Sequence, residues 1–250
     1  MKAAIKREVD LWTTRGLREA YVDAAESKTA APQRENSTEL TAKAKGEIGR
    51  LVQQVFSLPK SAKSPSAVAF CGVESGAGCT WVCARSSESL AGQVSGSVCV
   101  IDANLKKPSL HVCFGMEMAP GVTQTFADKL AIRQVARRLG DSNLWVVTAG
   151  LPIFGRSGEP APASFAALIS EARAHFDYVL IDTPSLSLYS EGLVLAKVCD
   201  GAILIVGSGS TRRESARIAK EHLDASRVPV LGAVLNRRTF PIPEALYRRM

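Results

Sequence analysis

The stretch Gly72-Val73-Glu74-Ser75-Gly76-Ala77-Gly78-Cys79-Thr80 decides how the rest of the chain is read. It has the outline of a phosphate-binding loop, G-x-x-x-x-G-K-[ST]. The glycines are Gly72, Gly76 and Gly78, the hydroxyl residue is Thr80, and Cys79 stands where the lysine is expected. An apolar run over 67–73 leads into the loop and predicts a buried strand, and a helix is predicted from Thr80 onward. Strand, glycine-rich turn and helix N-terminus form the context in which backbone N–H groups surround a phosphate. The framework of a nucleotide site is therefore written in the sequence, while one of its main charges is missing.

The bulk properties set the frame. The 250 residues are 46% hydrophobic, enough for one α/β core with a small appendage. No apolar run reaches the length needed to cross a bilayer. The charged start, Met1-Lys2-Ala3-Ala4-Ile5-Lys6-Arg7-Glu8, lacks the apolar region of a secretory signal, and a cytoplasmic protein is expected. The six cysteines, Cys71, Cys79, Cys83, Cys99, Cys113 and Cys199, form no C-x-x-C and are read as reduced thiols, mostly in the core. The formal net charge of +7 suits phosphates, nucleic acid or an anionic membrane face, or is ordinary solubility charge. No nucleic acid is expected as a partner.

Working outward, residues 1–38 read as a helical leader and a polar linker. Ile5, Val9 and Trp12 have helical spacing, followed by Leu17 and Tyr21, and 27–38 shows no periodicity. The main domain is assigned to 39–240 and a basic tail to 241–250. A helix is predicted from near Asn36, with Glu39 completing a capping box and Ile48, Leu51, Val52, Val55 and Phe56 on one face; it ends before Pro59. Beyond the loop, strands are predicted at 97–101, 144–147, 178–181, 202–206 and 230–235. Helices are predicted at 165–175, 192–198 and 211–226, the last opened by a Thr211/Glu214 capping box. The strand runs are continuously apolar rather than alternating. They therefore predict an α/β fold of the P-loop NTPase-like kind: a mostly parallel central sheet with helices on both faces, plus the N-terminal helical extension. Functional groups should gather at the carboxyl ends of its strands.

Three residues at such positions suit nucleotide chemistry. Thr80 opens the helix after the loop, where a hydroxyl can bind magnesium. Asp102 ends the run Val98-Cys99-Val100-Ile101, and Asp182 ends Tyr178-Val179-Leu180-Ile181. An apolar strand ending in Asp can hold a metal-bound water. Thr80, Asp102 and Asp182 are thus the metal candidates. The nucleotide candidates are Gly76, Ala77, Gly78, Cys79 and Thr80.

Over roughly residues 45–237 the chain resembles the cytoplasmic domain of the bacterial tyrosine kinases (BY-kinases) of capsule and exopolysaccharide synthesis. Asp102-Ala103-Asn104-Leu105-Lys106-Lys107-Pro108-Ser109-Leu110-His111 is similar to the family's D-x-D-x-R-R-P-S-L-H segment. Phe176 to Pro184 is close to its F-D-Y-V-I-I-D-T-P, and 200–206 and 231–236 also match. The resemblance implies ATP or ADP with Mg2+ as cofactor, Asn236 near the adenine, Asp102 as the catalytic carboxylate if the protein is active, and Tyr247 as the phosphoacceptor. It also implies a membrane activator or chain-length regulator of polysaccharide export as partner. A homo-oligomer, or a hetero-oligomer with an active kinase, and a peripheral place at the inner membrane are further implications.

The departures fall on chemistry. Cys79 replaces the loop lysine, Asn104 the second Asp of the 102–111 segment, and Lys106 its arginine. Glu47 and Arg50 match the family's E-x-x-R-x-x-R assembly helix, but Gln53 stands at the last arginine, and Tyr247 is alone where the family has a cluster. The expected function is therefore a degenerate kinase-like protein binding nucleotide weakly or not at all; Cys79 marks either a site no longer used or one where another cation, Lys106 or Lys107, substitutes. The alternatives are an active tyrosine autokinase and a partition or division-site ATPase. Glu74 argues against the last, because that group carries an extra lysine there.

Overall fold

The computed structural model describes residues 42–56, 64–152 and 160–237. The leader, the Asn36/Glu39 cap, the tail and Tyr247 lie outside the described residues. The elements run α1 (Ala42–Phe56), β1 (Ala67–Gly72), α2 (Cys79–Ala91), β2 (Val98–Asp102), α3 (Leu110–Cys113), α4 (Val122–Ala127) and α5 (Ile132–Val135). Then come β3 (Arg137–Arg138), β4 (Leu144–Val147), α6 (Pro162–His175), β5 (Tyr178–Asp182), α7 (Glu191–Lys197), β6 (Gly201–Gly207), α8 (Arg213–Ala225) and β7 (Val230–Asn236). The sheet order is β3-β4-β2-β5-β1-β6-β7. Every pairing is parallel except β3 with β4 at one edge.

The continuous apolar runs behave as expected of strands covered on both faces: β1, β2 and β5 are buried at every position. Two buried clusters lie side by side on one face of the sheet, as the register of their strand residues requires. One contains Cys99, Ile101, Val179 and Ile181 against Phe165, Leu168 and Ile169 of α6. The other contains Ala69, Cys71, Ala202 and Leu204 against Ala219 and Leu223 of α8. Helix α1 turns Val52, Val55 and Phe56 inward, and the Phe56 ring meets Tyr178 edge-on at 5.7 Å. The apolar face read from the sequence is thus spent on the chain's own sheet. The Glu47 and Arg50 side chains stay exposed and bond to each other at 3.1 Å.

Two local expectations change. Helix α8 is not opened by a Thr211/Glu214 capping box. Its N-cap is Arg212, without a side-chain bond. The Thr211 hydroxyl instead accepts the Gly207 N–H at 2.9 Å, and Glu214 pairs with Arg217. The edge strand β3 and the short helices α3, α4 and α5 were not anticipated; they have two to six residues, too few to show a period.

The topology places the site. β1 is central, with β5 beside it and β2 next on one side, and β6 and then β7 on the other. All five are parallel, so their carboxyl ends open at the same rim. The register sets Asp102 directly opposite Asp182.

Candidate nucleotide site

The loop between β1 and α2 is shaped by glycines that no other residue replaces easily. Gly76 and Gly78 have φ of 85° and 86°, in the left-handed region. A Cβ on Gly78 would lie 2.3 Å from the Asn236 side-chain nitrogen. Gly78 is also the N-cap of the 13-residue α2, so the unpaired N–H groups of its first turn face the rim. A cavity of about 290 Å³ lies over this turn, its lining including Gly76, Gly78, Thr80, Asn104, Lys107 and Arg237.

Cys79 is half-buried and among the residues lining this cavity, but its thiol is engaged by the strand beneath. It donates to the Phe70 carbonyl of β1 at 3.1 Å. The same carbonyl accepts the Thr183 hydroxyl at 2.9 Å and the Thr183 N–H at 3.2 Å. Burial, with the nearby Asp182 carboxylate next in weight, pushes the Cys79 thiol well above the usual range. The residue at the lysine position therefore supplies neither a cation nor a thiolate.

The two strand-end acids differ in surroundings. The Asp102 carboxylate is engaged by backbone: Asn104 N–H at 3.2 Å on one oxygen, Ser109 and Leu110 N–H at 3.1 and 3.0 Å on the other. It ties the 102–110 segment into a closed turn. Burial raises its pKa, opposed by those three N–H groups. Asp182 is fully buried, and neither of its side-chain oxygens has a hydrogen-bond partner. The Thr80 hydroxyl and Cys79 thiol are near enough to favour its ionised form but make no well-aligned bond to it. Burial, then the charge of Asp102, raise its pKa.

An unpartnered buried carboxylate beside the first-turn hydroxyl of a glycine-loop helix fits a magnesium-bound nucleotide. Thr80 would bind the ion and Asp182 its water, with the α2 amides on phosphate; the ion supplies neutralisation of phosphate charge. Among the described residues, no three His, Cys, Asp or Glu side chains form a metal cluster by themselves. That suits an ion that takes most of its ligands from phosphate and water.

The remaining expected residues fall into place unevenly. Thr80 accepts the Ser109 hydroxyl at 3.3 Å, joining the loop to the Asp102 turn. The Asn104 side chain accepts the Lys107 N–H at 3.3 Å and lines the cavity. The Asn236 side chain donates to the Ala77 carbonyl at 2.9 Å, bracing the loop. Of the two candidate substitute cations, Lys106 turns to Glu191 at 3.2 Å and lies over the Tyr189 ring. Lys107 reaches the loop, 3.4 Å from the Ser75 hydroxyl. Arg237, given no role at the site above, also lines the cavity. Its place one residue past the β7 end was the available signal.

A mostly parallel sheet whose central strand opens into a glycine loop and helix, with acids ending the two successive strands on one side of it, defines a P-loop NTPase-like domain. No family model matches the chain. It is 33% identical over 153 residues to the tyrosine-protein kinase YwqD of Bacillus subtilis, covering 58% of this chain and 61% of that protein. It is 28% identical over 138 residues to the putative tyrosine-protein kinase CapB of Staphylococcus aureus, covering 55% and 60%. The chain thus spans about three fifths of the length of these relatives. Among solved structures, the chimerical protein CapA2B2 superposes with a TM-score of 0.69 at 19% identity, covering 80% of this chain and 87% of that one. The septum site-determining protein MinD of Pyrococcus horikoshii, complexed with Mg-ADP, gives 0.59 at 18%, covering 73% and 76%. These two show the shared fold. The sequence relatives are named bacterial tyrosine-protein kinases, and the chain is similar to them over 138 to 153 residues.

Among the described residues, no helix is long and apolar enough to cross a membrane.

Proposed function

We propose that this chain is a degenerate P-loop protein of the bacterial tyrosine-kinase type. It binds ATP or ADP with Mg2+ weakly and regulates or scaffolds exopolysaccharide or capsule synthesis and export from the cytoplasm, at the inner membrane face. The observation that carries the reading is the Cys79 thiol held on the Phe70 carbonyl, which leaves the loop without its inner cation. Phosphoryl transfer relies on electrostatic stabilisation of spreading charge, so this loss weighs more on the transition state than on binding. Asn104, lacking a carboxylate, removes a second charge from the same cavity. The cradle, Thr80 and the unpartnered Asp182 favour retained affinity for phosphate.

In this reading the partners are a membrane activator or chain-length regulator of export, and an active kinase with which the chain co-assembles. The Glu47–Arg50 pair, exposed on α1, is the surface that would serve such assembly.

The test is incubation of the whole chain with Mg2+ and labelled ATP, beside calorimetric titration. The expected outcome is no label on Tyr247 and a dissociation constant for ATP no tighter than high micromolar. Stoichiometric label on Tyr247 that Asp102→Ala abolishes would establish the active autokinase instead.

A further inference from the structure

The loop has lost its inner cation, yet the cavity above it is not without positive charge. We propose that Lys107 and Arg237 together replace the missing lysine, gripping the phosphate chain of the bound nucleotide from two sides of the loop. This rests on the nucleotide-binding reading above.

Three observations carry it. The Lys107 ammonium stands 3.4 Å from the Ser75 hydroxyl, so it already reaches across to the loop. Arg237 lines the same cavity, beside Gly78: a Cβ built there would lie 3.8 Å from the Arg237 Nε. The sheet order explains why the two approach from opposite flanks. Lys107 follows β2, two strands from β1 on one side, and Arg237 follows β7, two strands away on the other. Both segments are held in place by backbone-level contacts. The Lys107 N–H bonds to Asn104, inside the turn that Asp102 closes, and Asn236, next to Arg237, is bound to the Ala77 carbonyl. Arg237 itself sits at φ 58°, a left-handed conformation uncommon for a residue with a side chain. That turn at the strand end keeps residue 237 at the cavity.

The buried residues supply the second half of the argument. Asp182 is wholly buried with both oxygens unpartnered, next to Thr80. A phosphate-bound magnesium is the ligand that such a carboxylate and hydroxyl would share, and its phosphates then face the cations above. The two cations differ from a loop lysine in one respect: both are exposed. Their attraction is screened by salt, so they hold ground-state phosphate without the preorganised, water-excluded charge that transfer needs. The arrangement therefore favours a protein that senses nucleotide over one that turns it over.

The test uses calorimetric titration of the whole chain with Mg-ATP, Mg-ADP and sodium triphosphate. Hydrogen bonds to charged groups set the scale: Lys107→Ala and Arg237→Ala should each weaken binding about tenfold or more. The conservative Arg237→Lys should keep most of the affinity. Lys220→Ala, which removes one positive charge from α8 outside the cavity, should leave it within about twofold on the scale of an exposed ion pair. A merely structural role is separated by a cycle with Cys79→Lys. With a lysine back in the loop, the cost of Lys107→Ala should shrink, because the two cations serve the same phosphates. If wild type binds and the Lys107 and Arg237 variants bind equally well, the cation replacement is wrong while the nucleotide reading stands. If wild type binds none of the three probes at millimolar concentration, the nucleotide reading falls and this one with it.

Discussion

Replacing Asp182 by asparagine isolates what the unpartnered carboxylate costs the protein when no metal is present. The substitution keeps the shape and removes the charge. The unfolded carboxyl ionises near 3.9, whereas burial and the facing Asp102 raise the folded value. Over the window between those values the folded state holds a proton that the unfolded state has released. Stability therefore falls as pH rises through that window. One proton sets a limit of about 1.4 kcal/mol per pH unit. Between pH 6 and pH 8 the wild-type protein should lose about 2–3 kcal/mol that Asp182→Asn retains. For a domain of this size that difference is roughly 4–12 °C in Tm. Asparagine brings two N–H donors into the same buried place, but that cost is the same at every pH, so the slope is the readout. The assay is urea unfolding at pH 6, 7 and 8 without Mg2+ or nucleotide. Parallel pH profiles for wild type and variant would refute the reasoning. Added Mg-ATP should stabilise wild type and leave the variant unmoved, since the ion needs the ionised group.

Asp102→Ala removes the acceptor of the Asn104, Ser109 and Leu110 N–H groups. It should destabilise by about 3–5 kcal/mol in urea unfolding, from the usual cost of orphaned buried donors. A loss below about 1 kcal/mol would mean that water or a rearranged turn takes over. Cys79 should react far more slowly than an exposed thiol with iodoacetamide at neutral pH, because burial disfavours its thiolate. Mass spectrometry of the alkylated peptide reads this, and rapid modification of Cys79 would mean the thiol faces the cavity after all.

What was legible in the sequence was what local pattern encodes. Runs of four apolar residues closed by an aspartate gave β2 and β5 almost to the residue, because burial on both faces leaves no polar position to blur the ends. Gly76 and Gly78 announced their left-handed turn in the same way, since only glycine adopts it at little cost. The Thr211/Glu214 box misled because a hydroxyl near a helix start has other N–H groups within reach, and Gly207 won.

Composition and motif alone thus determined the sheet, the loop, the acids at the strand ends and the missing lysine. Only the tertiary structure decided what those residues do. Asp102 and Asp182 look alike in sequence, yet one is bound by three N–H groups and the other has no partner, because a single turn closes over the first alone. Cys79 could face phosphate or strand; the Phe70 carbonyl beneath the loop settles it. Arg237 belongs to the cavity because β7 runs parallel to β1 two strands away. The 159 residues separating Asn236 from Ala77 shrink to one hydrogen bond only when the sheet is assembled. Local propensity carries no record of which strand ends meet; strand order does, and that is fixed by how the whole chain buries its two apolar faces.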